Sequence, residues 1–361
     1  MEICCFPQSI STYFCFATFF EFYKFQSISI ILSPYHPYLL IPFRTLLIYS
    51  LNGYDIFKKF SVSLLTTINF YDKVVLRSND ILRKIQSQTI TKIVKDLCIK
   101  ANLELRGDVV STLEKGLNNE DNPRAKRILQ ILIENASLAR EKKLPICQDT
   151  GVAIVFIDIG QDVQIIGDDL FSAINQGIKL GYEDGSCRKS VVNDPIIREN
   201  TNDNTPGIIH YNFITGDKLK ITVMPKGFGC ENRSCIKMLL PTAEIGEIKK
   251  VIIDAVKDAG PDACPPFVLG IGLGGTMDKA AQLSKEALLS PIDKSSLQTH
   301  IARLEQEIFE EVNSLNIGPM GLGGKTTVLG VNILTYPTHI GGLPVAININ
   351  CHALRSASCY V

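Results

Sequence analysis

Apolar positions recur every three to four residues from about residue 80 to residue 143. In "ILRKIQSQTITKIVKDLCIKANLEL", Ile90, Ile93, Val94, Leu97 and Cys98 fall on one face of a helix. The segments "VVSTLEKGL" and "AKRILQILIENASLAREKK" repeat that period and predict further amphipathic helices. Beyond Cys147 the texture changes to β-branched and aliphatic runs bounded by turn residues. "VAIVFIDIG", "GIIHYNFITG", "LKITVMP", "PFVLGIG", "TTVLGVNILTYP" and "LPVAINI" predict strands. Helical periods return in "AEIGEIKKVIIDAVKDAG" and "SSLQTHIARLEQEIFEEVNSL". This order predicts an α/β (α+β) fold, with an N-terminal helical section followed by mixed β-sheets flanked by helices. No repeat or low-complexity linker interrupts residues 80–361, so residues 78–361 are read as one domain.

Residues 1–77 differ in kind. The first 54 carry only Glu2, Glu21, Lys24 and Arg44 as charged side chains and show no regular period. Residues 3–20 form an uncharged run near the lower length for a membrane span, and Pro7 with its Ser, Thr and Cys neighbours counts against one. The basic start of a signal peptide and the Arg-rich character of a transit peptide are both missing. Three readings stand: an extension outside the working protein, an unusual targeting or anchoring segment, and a packed element. The first is adopted, so function is sought downstream and a chain starting near Ser78 is expected to fold.

Composition narrows the partners. Lys plus Arg and Asp plus Glu both number 37, so no broad basic face for nucleic acid is implied. Eleven cysteines without regular pairing point to a reducing compartment with metal or redox thiols. The expected location is the cytoplasm, or an organelle matrix if the extension is a targeting segment.

Candidate chemistry centres on "LPICQDTG", where Cys147 precedes the consecutive polar residues Gln148, Asp149 and Thr150. Full burial there would leave several groups needing partners. Cys147, Cys264 in "GPDACPPF" and Cys351 in "NINCHA" share turn contexts at element edges. Their distant spacing excludes a paired zinc module and is compatible with an iron-sulfur cluster that keeps one iron free of protein ligand; buried thiols are the plain alternative. "GIGLGG" matches the dinucleotide fingerprint through Gly270, Gly272 and Gly275, but no acidic ribose-binding residue follows in a clean unit. A tight strand-to-helix turn is the simpler reading. "GPMGLGGKTT" fails the spacing of a phosphate loop and reads as a solvated turn, although Lys325, Thr326 and Thr327 offer polar groups to an anion. His339 lies in a Pro- and Gly-rich turn, where an active-site and a structural role are equally compatible with its neighbours.

Taken together, "LPICQDTG", "RKSVVNDPIIRENTNDNTPGIIHYNFITGD", "MPKGFGCENRS", "DACPPFVLGIGLGGTMDKAAQLSKEALL" and "YPTHIGGLPVAININCHALR" closely resemble the α subunit, or N-terminal domain, of class I fumarate hydratases and L(+)-tartrate dehydratases. The resemblance covers residues 80–361. It implies a [4Fe-4S] cluster on Cys147, Cys264 and Cys351. It also implies substrate contacts from Gln148, Arg188 and Gly229, with Lys226 and Asn232 nearby, and proton transfer by Asp149 and His339. Phe228 and Cys230 depart from a small, serine-containing turn found in many relatives.

The implied activity is reversible hydration of a C4 dicarboxylate, fumarate and malate first. A tartrate dehydratase subunit, a non-catalytic iron-sulfur subunit and, more remotely, a nicotinamide oxidoreductase are the alternatives. The family's remaining anchoring groups lie in a second domain or β subunit. With ten residues after Cys351, a separately encoded β subunit is the expected partner.

Overall fold

Among the described residues, the buried apolar side chains gather into four clusters. The computed structural model describes residues 82–361. The expectations for residues 1–77 lie outside them. A short strand, β1 (Arg83–Gln86), leads into α1 (Ser87–Leu103), where Ile90, Val94, Leu97, Cys98 and Ala101 are buried. The predicted helical face is thus the packed one, although the first turn expected as helix is strand. Helices α2 (Gly107–Asn119) and α3 (Pro123–Lys142) follow. The side chain of Asn122 caps α3 by accepting from Arg124 N and Ala125 N at 2.9 and 3.4 Å, and Pro123 opens the first turn.

The first large sheet has the order β10-β5-β2-β4. It contains β2 (Val152–Gly160), β4 (Ile208–Ile214), β5 (Leu219–Lys226) and β10 (Ala357–Tyr360). A two-stranded parallel pair joins β1 to β3 (Val163–Ile166). Strand β2 runs parallel to β4 and antiparallel to β5. Alternation along the strands sends Val155, Ile157, Ile221 and Val223 to one face, where they pack with residues of α1 and α4 (Leu170–Asp184). Each such aliphatic burial contributes about 1.5–3 kcal/mol.

Helix α4 has no clear sequence signal because Gly177 and Gly181 weaken its propensity. Packing explains them. A Cβ at Gly177 would lie 2.7 Å from Thr91 O, and one at Gly181 would lie 2.6 Å from Cys98 Cβ. The two glycines let α4 cross α1 at close range.

The second sheet has the order β6-β9-β7-β8. Its strands are β6 (Cys235–Leu239), β7 (Phe267–Gly274), β8 (Val328–Tyr336) and β9 (Leu343–Asn350). Strand β7 is buried throughout, pairs parallel with β8 and antiparallel with β9. Helices α6 (Ile245–Ala259) and α8 (Thr299–Ser314) contribute Ile252, Val256, Ile308 and Val312 to the core with Leu269, Ile271, Ile347 and Ile349. Helix α7 (Met277–Ala287) packs against β7 at Gly270 and Gly272, where an added Cβ would lie 2.1 Å from Ser284 O and 2.0 Å from Ala280 O.

Those two glycines therefore serve strand-to-helix contact inside β7, and Gly274 and Gly275, with φ of 90° and 69°, turn the chain into α7. The other glycine cluster is closed by an internal carboxylate. Glu120 is buried, and its Oε2 accepts from Lys325 N at 2.8 Å and Thr326 N at 3.3 Å. The backbone donors that an anion would use are already satisfied.

Candidate active site

The register of the second sheet fixes two of the cysteines. Val268 pairs with Asn350, so Cys264, just before β7, and Cys351, just after β9, sit at the same end of the sheet. Cys264 follows the 3-10 turn Gly260–Ala263 in a left-handed conformation with φ of 54°. A non-glycine residue there carries backbone strain, which commonly accompanies functional geometry.

The first sheet brings the third cysteine. Val152 pairs with Lys226, placing the start of β2 beside the end of β5. Gly151, with φ of 67°, turns residues 147–150 onto that end, and a Cβ there would lie 2.2 Å from Lys226 O. Asp149 then caps the one-turn helix α5 (Phe228–Glu231), its Oδ2 accepting from Phe228 N at 2.8 Å and Gly229 N at 3.3 Å. Arg355 is buried beneath, donating from Nη2 to Asp149 O at 2.8 Å and from Nη1 to Asn102 Oδ1 at 3.2 Å. Tyr182 OH donates to Thr150 O at 2.9 Å. No local pattern marks Tyr182 as part of this end, and Arg355 lies inside the "CHALR" stretch with no role assigned from the motif.

The thiols interact. Burial raises the Cys264 pKa, and the neighbouring charges of Cys147, Cys230 and Asp149 raise it further. His352 Nδ1 lies 3.3 Å from Cys264 O. Cys147 and Cys351 are half-buried, Cys264 is exposed, and all three are free thiols. Among the described residues no group of three His, Cys, Asp or Glu side chains closes around a single metal ion. That result bears on mononuclear sites, where all ligands meet one ion; in a four-iron cluster each thiolate takes a separate iron and the sulfurs stand further apart. A set of three thiols suits iron-sulfur chemistry better than a hard cation.

The other expected residues divide clearly. Gln148, Gly229 and Asn232 are exposed, and Phe228 keeps 49% of its surface open beside them. The backbone of Arg188 is tied to the same loop, since Arg188 N donates to Thr150 Oγ1 at 2.9 Å, leaving its side chain exposed. Lys226 turns inward instead, with 1% exposure. Its Nζ donates to Cys230 Sγ and Ile349 O, both at 3.0 Å, and lies 3.3 Å from Glu231 Oε2.

Burial would raise the Glu231 carboxyl, but Lys226 and Lys285 outweigh it and hold the group low. The neighbouring Cys351 and the Lys226 ammonium lower the Cys230 thiol, and Cys230 in turn raises Cys351. Sequence reading placed Lys226 near the substrate; in the structure its ammonium braces α5 against β9.

His339 is not brought to this end. It lies between β8 and β9, beyond the pairing of Gly274 with Tyr336, at the opposite end of β7. The eight residues of β7 separate the two ends by about 25 Å at the usual rise. His339 Nδ1 accepts from Gly341 N at 3.0 Å, a contact within its own turn. A polar cleft of about 340 Å³ lined by Phe156, His210, Lys220, Lys279 and Glu286 also lies apart from the thiols.

The family model described as fumarate hydratase (Fumerase) matches residues 91–360. The chain belongs to this family. A relative from Methanocaldococcus jannaschii, provisionally named an L(+)-tartrate dehydratase subunit alpha, is 40% identical over 276 residues, covering 74% of this chain and 96% of the relative. The L(+)-tartrate dehydratase subunit alpha of Escherichia coli (strain K12) is 28% identical over 275 residues, covering 75% and 90%. The protein of that name from Shigella sonnei (strain Ss046) is likewise 28% identical over 275 residues. The fumarate hydratase match spans both sheets and the cysteine end, and it takes in all three thiols, Asp149 and Arg188.

Proposed function

We propose that this fumarate hydratase family member is the alpha subunit of a hydro-lyase that adds water to, or removes it from, a C4 dicarboxylate. The observation that carries this reading is the meeting of Cys147, Cys264 and Cys351 with the Asp149 carboxylate at one end of two sheets. Fumarate and malate are the first substrates to test. Tartrate is the second reading, favoured by the names of the relatives.

In this reading Cys147, Cys264 and Cys351 hold a [4Fe-4S] cluster, which supplies a Lewis acid that makes a substrate hydroxyl a better leaving group. Asp149 moves a proton. Its Oδ2 is engaged by two backbone N–H groups, so Oδ1 is the oxygen that exchanges it. The exposed Arg188 guanidinium binds a substrate carboxylate as a planar fork and fixes the elimination geometry. Gln148 and Asn232 offer exposed amides to the same ligand, Gly229 its backbone N–H, and Phe228 an apolar wall that excludes water. Lys226 acts from behind as a positioning residue. His339, at the far end of β7, is given no step.

The open face around Cys264, Phe228 and Gly229 would hold one end of a dicarboxylate, which supports a β subunit as the cover carrying the other anchor. The test is anaerobic loading with iron and sulfide, with and without a co-expressed candidate β subunit. A panel of diacids is then followed by the ultraviolet absorbance of the conjugated double bond. Turnover that needs the partner is the expected result. A loaded complex inactive on every diacid would overturn the hydro-lyase reading, and full turnover by the single chain would overturn the subunit reading.

A further inference from the structure

The two large sheets end in β10, β4, β6 and β8, and these edges are not alike. Strand β8 is blunted by side chains of α8: Asn313 Oδ1 accepts from Thr327 N at 2.8 Å and Val328 N at 3.0 Å, and Glu305 Oε1 accepts from Ile333 N at 2.8 Å. Strand β6 has five residues with Lys237 at its centre, and β10 has four. Charges, short strands and capped ladders are the usual protections against edge-to-edge pairing. Among the described residues β4 has none of them. Its seven residues, "IIHYNFI", include no Asp, Glu, Lys, Arg or Pro, and Ile208, Tyr211 and Phe213 are 50, 42 and 72% exposed.

The hydrogen-bonding phase of this edge is fixed. Ile214 O accepts from Gln161 N at 2.9 Å, next to the parallel pairing of Ile214 with Gly160. Ile208, His210, Asn212 and Ile214 therefore turn their backbone groups toward β2, and Ile209, Tyr211 and Phe213 turn theirs away from it. Among the described residues no other strand pairs with that side.

The strand is palindromic in residue character about Tyr211. A two-fold antiparallel pairing centred there sets Ile208 opposite the partner's Ile214, Ile209 opposite the partner's Phe213 and His210 opposite the partner's Asn212. Apolar meets apolar, and imidazole meets amide. Centring the pair on His210 would instead set Ile208 against the partner's Asn212, and centring it on Asn212 would set His210 against the partner's Ile214. The phase also agrees: residues paired about Tyr211 are both even-numbered or both odd-numbered, so outward-facing N–H and C=O groups meet their counterparts. Continued past the strand ends, the register sets Asp217 opposite the partner's Thr205 and Lys218 opposite the partner's Asn204, so no like charges face each other.

We propose that β4 is the seam of a two-fold dimer of this chain, in which two copies of the first sheet join edge to edge through an antiparallel β4 pair centred on Tyr211. The occupant of the edge is a second copy because the strand complements itself in side-chain character, charge and hydrogen-bonding phase at one register. The dimer does not rest on the hydro-lyase reading.

The experiment uses the full chain, kept reduced, in sedimentation velocity across a concentration series. A dimer is the expected result. Tyr211→Lys sets two ammonium groups face to face on the two-fold axis and should weaken association by about tenfold or more, with far-ultraviolet circular dichroism matching the parent. Register is read separately by oxidation and peptide mapping by mass spectrometry. Tyr211→Cys should give a peptide joined to its own copy, since Cα atoms of a hydrogen-bonded antiparallel pair lie about 5.5 Å apart, within disulfide reach. Phe213→Cys should not, because in this register its counterpart lies about 14 Å further along the strand. Should Tyr211→Lys fail to fold, the Tyr211→Cys link decides. A monomer at every concentration, a dimer indifferent to Tyr211→Lys, no self-link from Tyr211→Cys, or an equal self-link from Phe213→Cys would overturn the proposal. So would amide exchange at Ile209, Tyr211 and Phe213 that slows only when a co-expressed candidate β subunit binds, which would give the edge to that subunit.

Discussion

Asp149 does two jobs at the residue scale, capping α5 through Oδ2 and presenting a carboxylate to the site. Asp149→Asn keeps an oxygen for the cap and removes the proton-accepting charge. Turnover by the loaded complex should fall by about 10²–10⁴ while iron content holds steady, as steady-state rates and iron assay will report. Unchanged turnover would remove Asp149 from proton transfer. Gly151 has no such latitude. With φ of 67° and a Cβ position 2.2 Å from Lys226 O, Gly151→Ala must move β5 or the Cys147 loop. Its cost should be about 3 kcal/mol in a denaturant titration, against less than 1 kcal/mol for a surface Gly→Ala change.

At the scale of elements, the start of α2 is tied to the segment after α7 by Arg106, which donates to Leu288 O at 2.7 Å and to Ser290 O at 2.8 Å, and by the Asp108 carboxylate. Asp108 is paired with Arg106, and its Oδ2 accepts from Ile292 N at 3.0 Å. Burial alone would raise its pKa; the Arg106 guanidinium and the Ile292 N–H outweigh burial and lower it below 3.8. A depressed folded pKa means the unfolded state binds the proton more tightly. This stabilisation is therefore present above the ordinary carboxylate value and is lost as pH falls through the folded one. Asp108→Asn should flatten the decline in urea midpoint between pH 5 and pH 3 relative to the parent. An unchanged slope would show that other carboxylates carry the acid sensitivity. Asn122→Ala, which removes the α3 cap, should cost about 1 kcal/mol at either pH.

For the molecule as a whole, the three thiols come from the loop before β2, the turn before β7 and the end of β9. A cluster bound to all three would link segments distant in sequence, and ligand binding to the folded state alone raises stability by mass action. Anaerobic loading should therefore raise the Tm of the parent chain. Cys264→Ser should show no such rise, because a serine oxygen is a poor replacement for thiolate on iron. An equal rise in that variant would remove Cys264 from the ligand set. The described helices include none long and apolar enough to cross a membrane.

Local pattern determined much of this. The helical face of Ile90, Val94, Leu97 and Cys98 and the strands β2, β5, β7, β8 and β9 were legible because burial on one face imposes a period on the sequence. The match of short motifs around Cys147, Cys264 and Cys351 likewise named the family through resemblance. Tertiary structure decided the rest. Helix α4 exists because Gly177 and Gly181 admit the backbone of α1, a pairwise fact that neither segment records alone. Register places Cys264 and Cys351 together and sends His339 to the opposite end of β7, since pairing is a relation between strands. Burial turned Lys226 from a candidate substrate contact into a brace, because a chain position does not say which way a strand's last side chain will face until the sheet above it is packed.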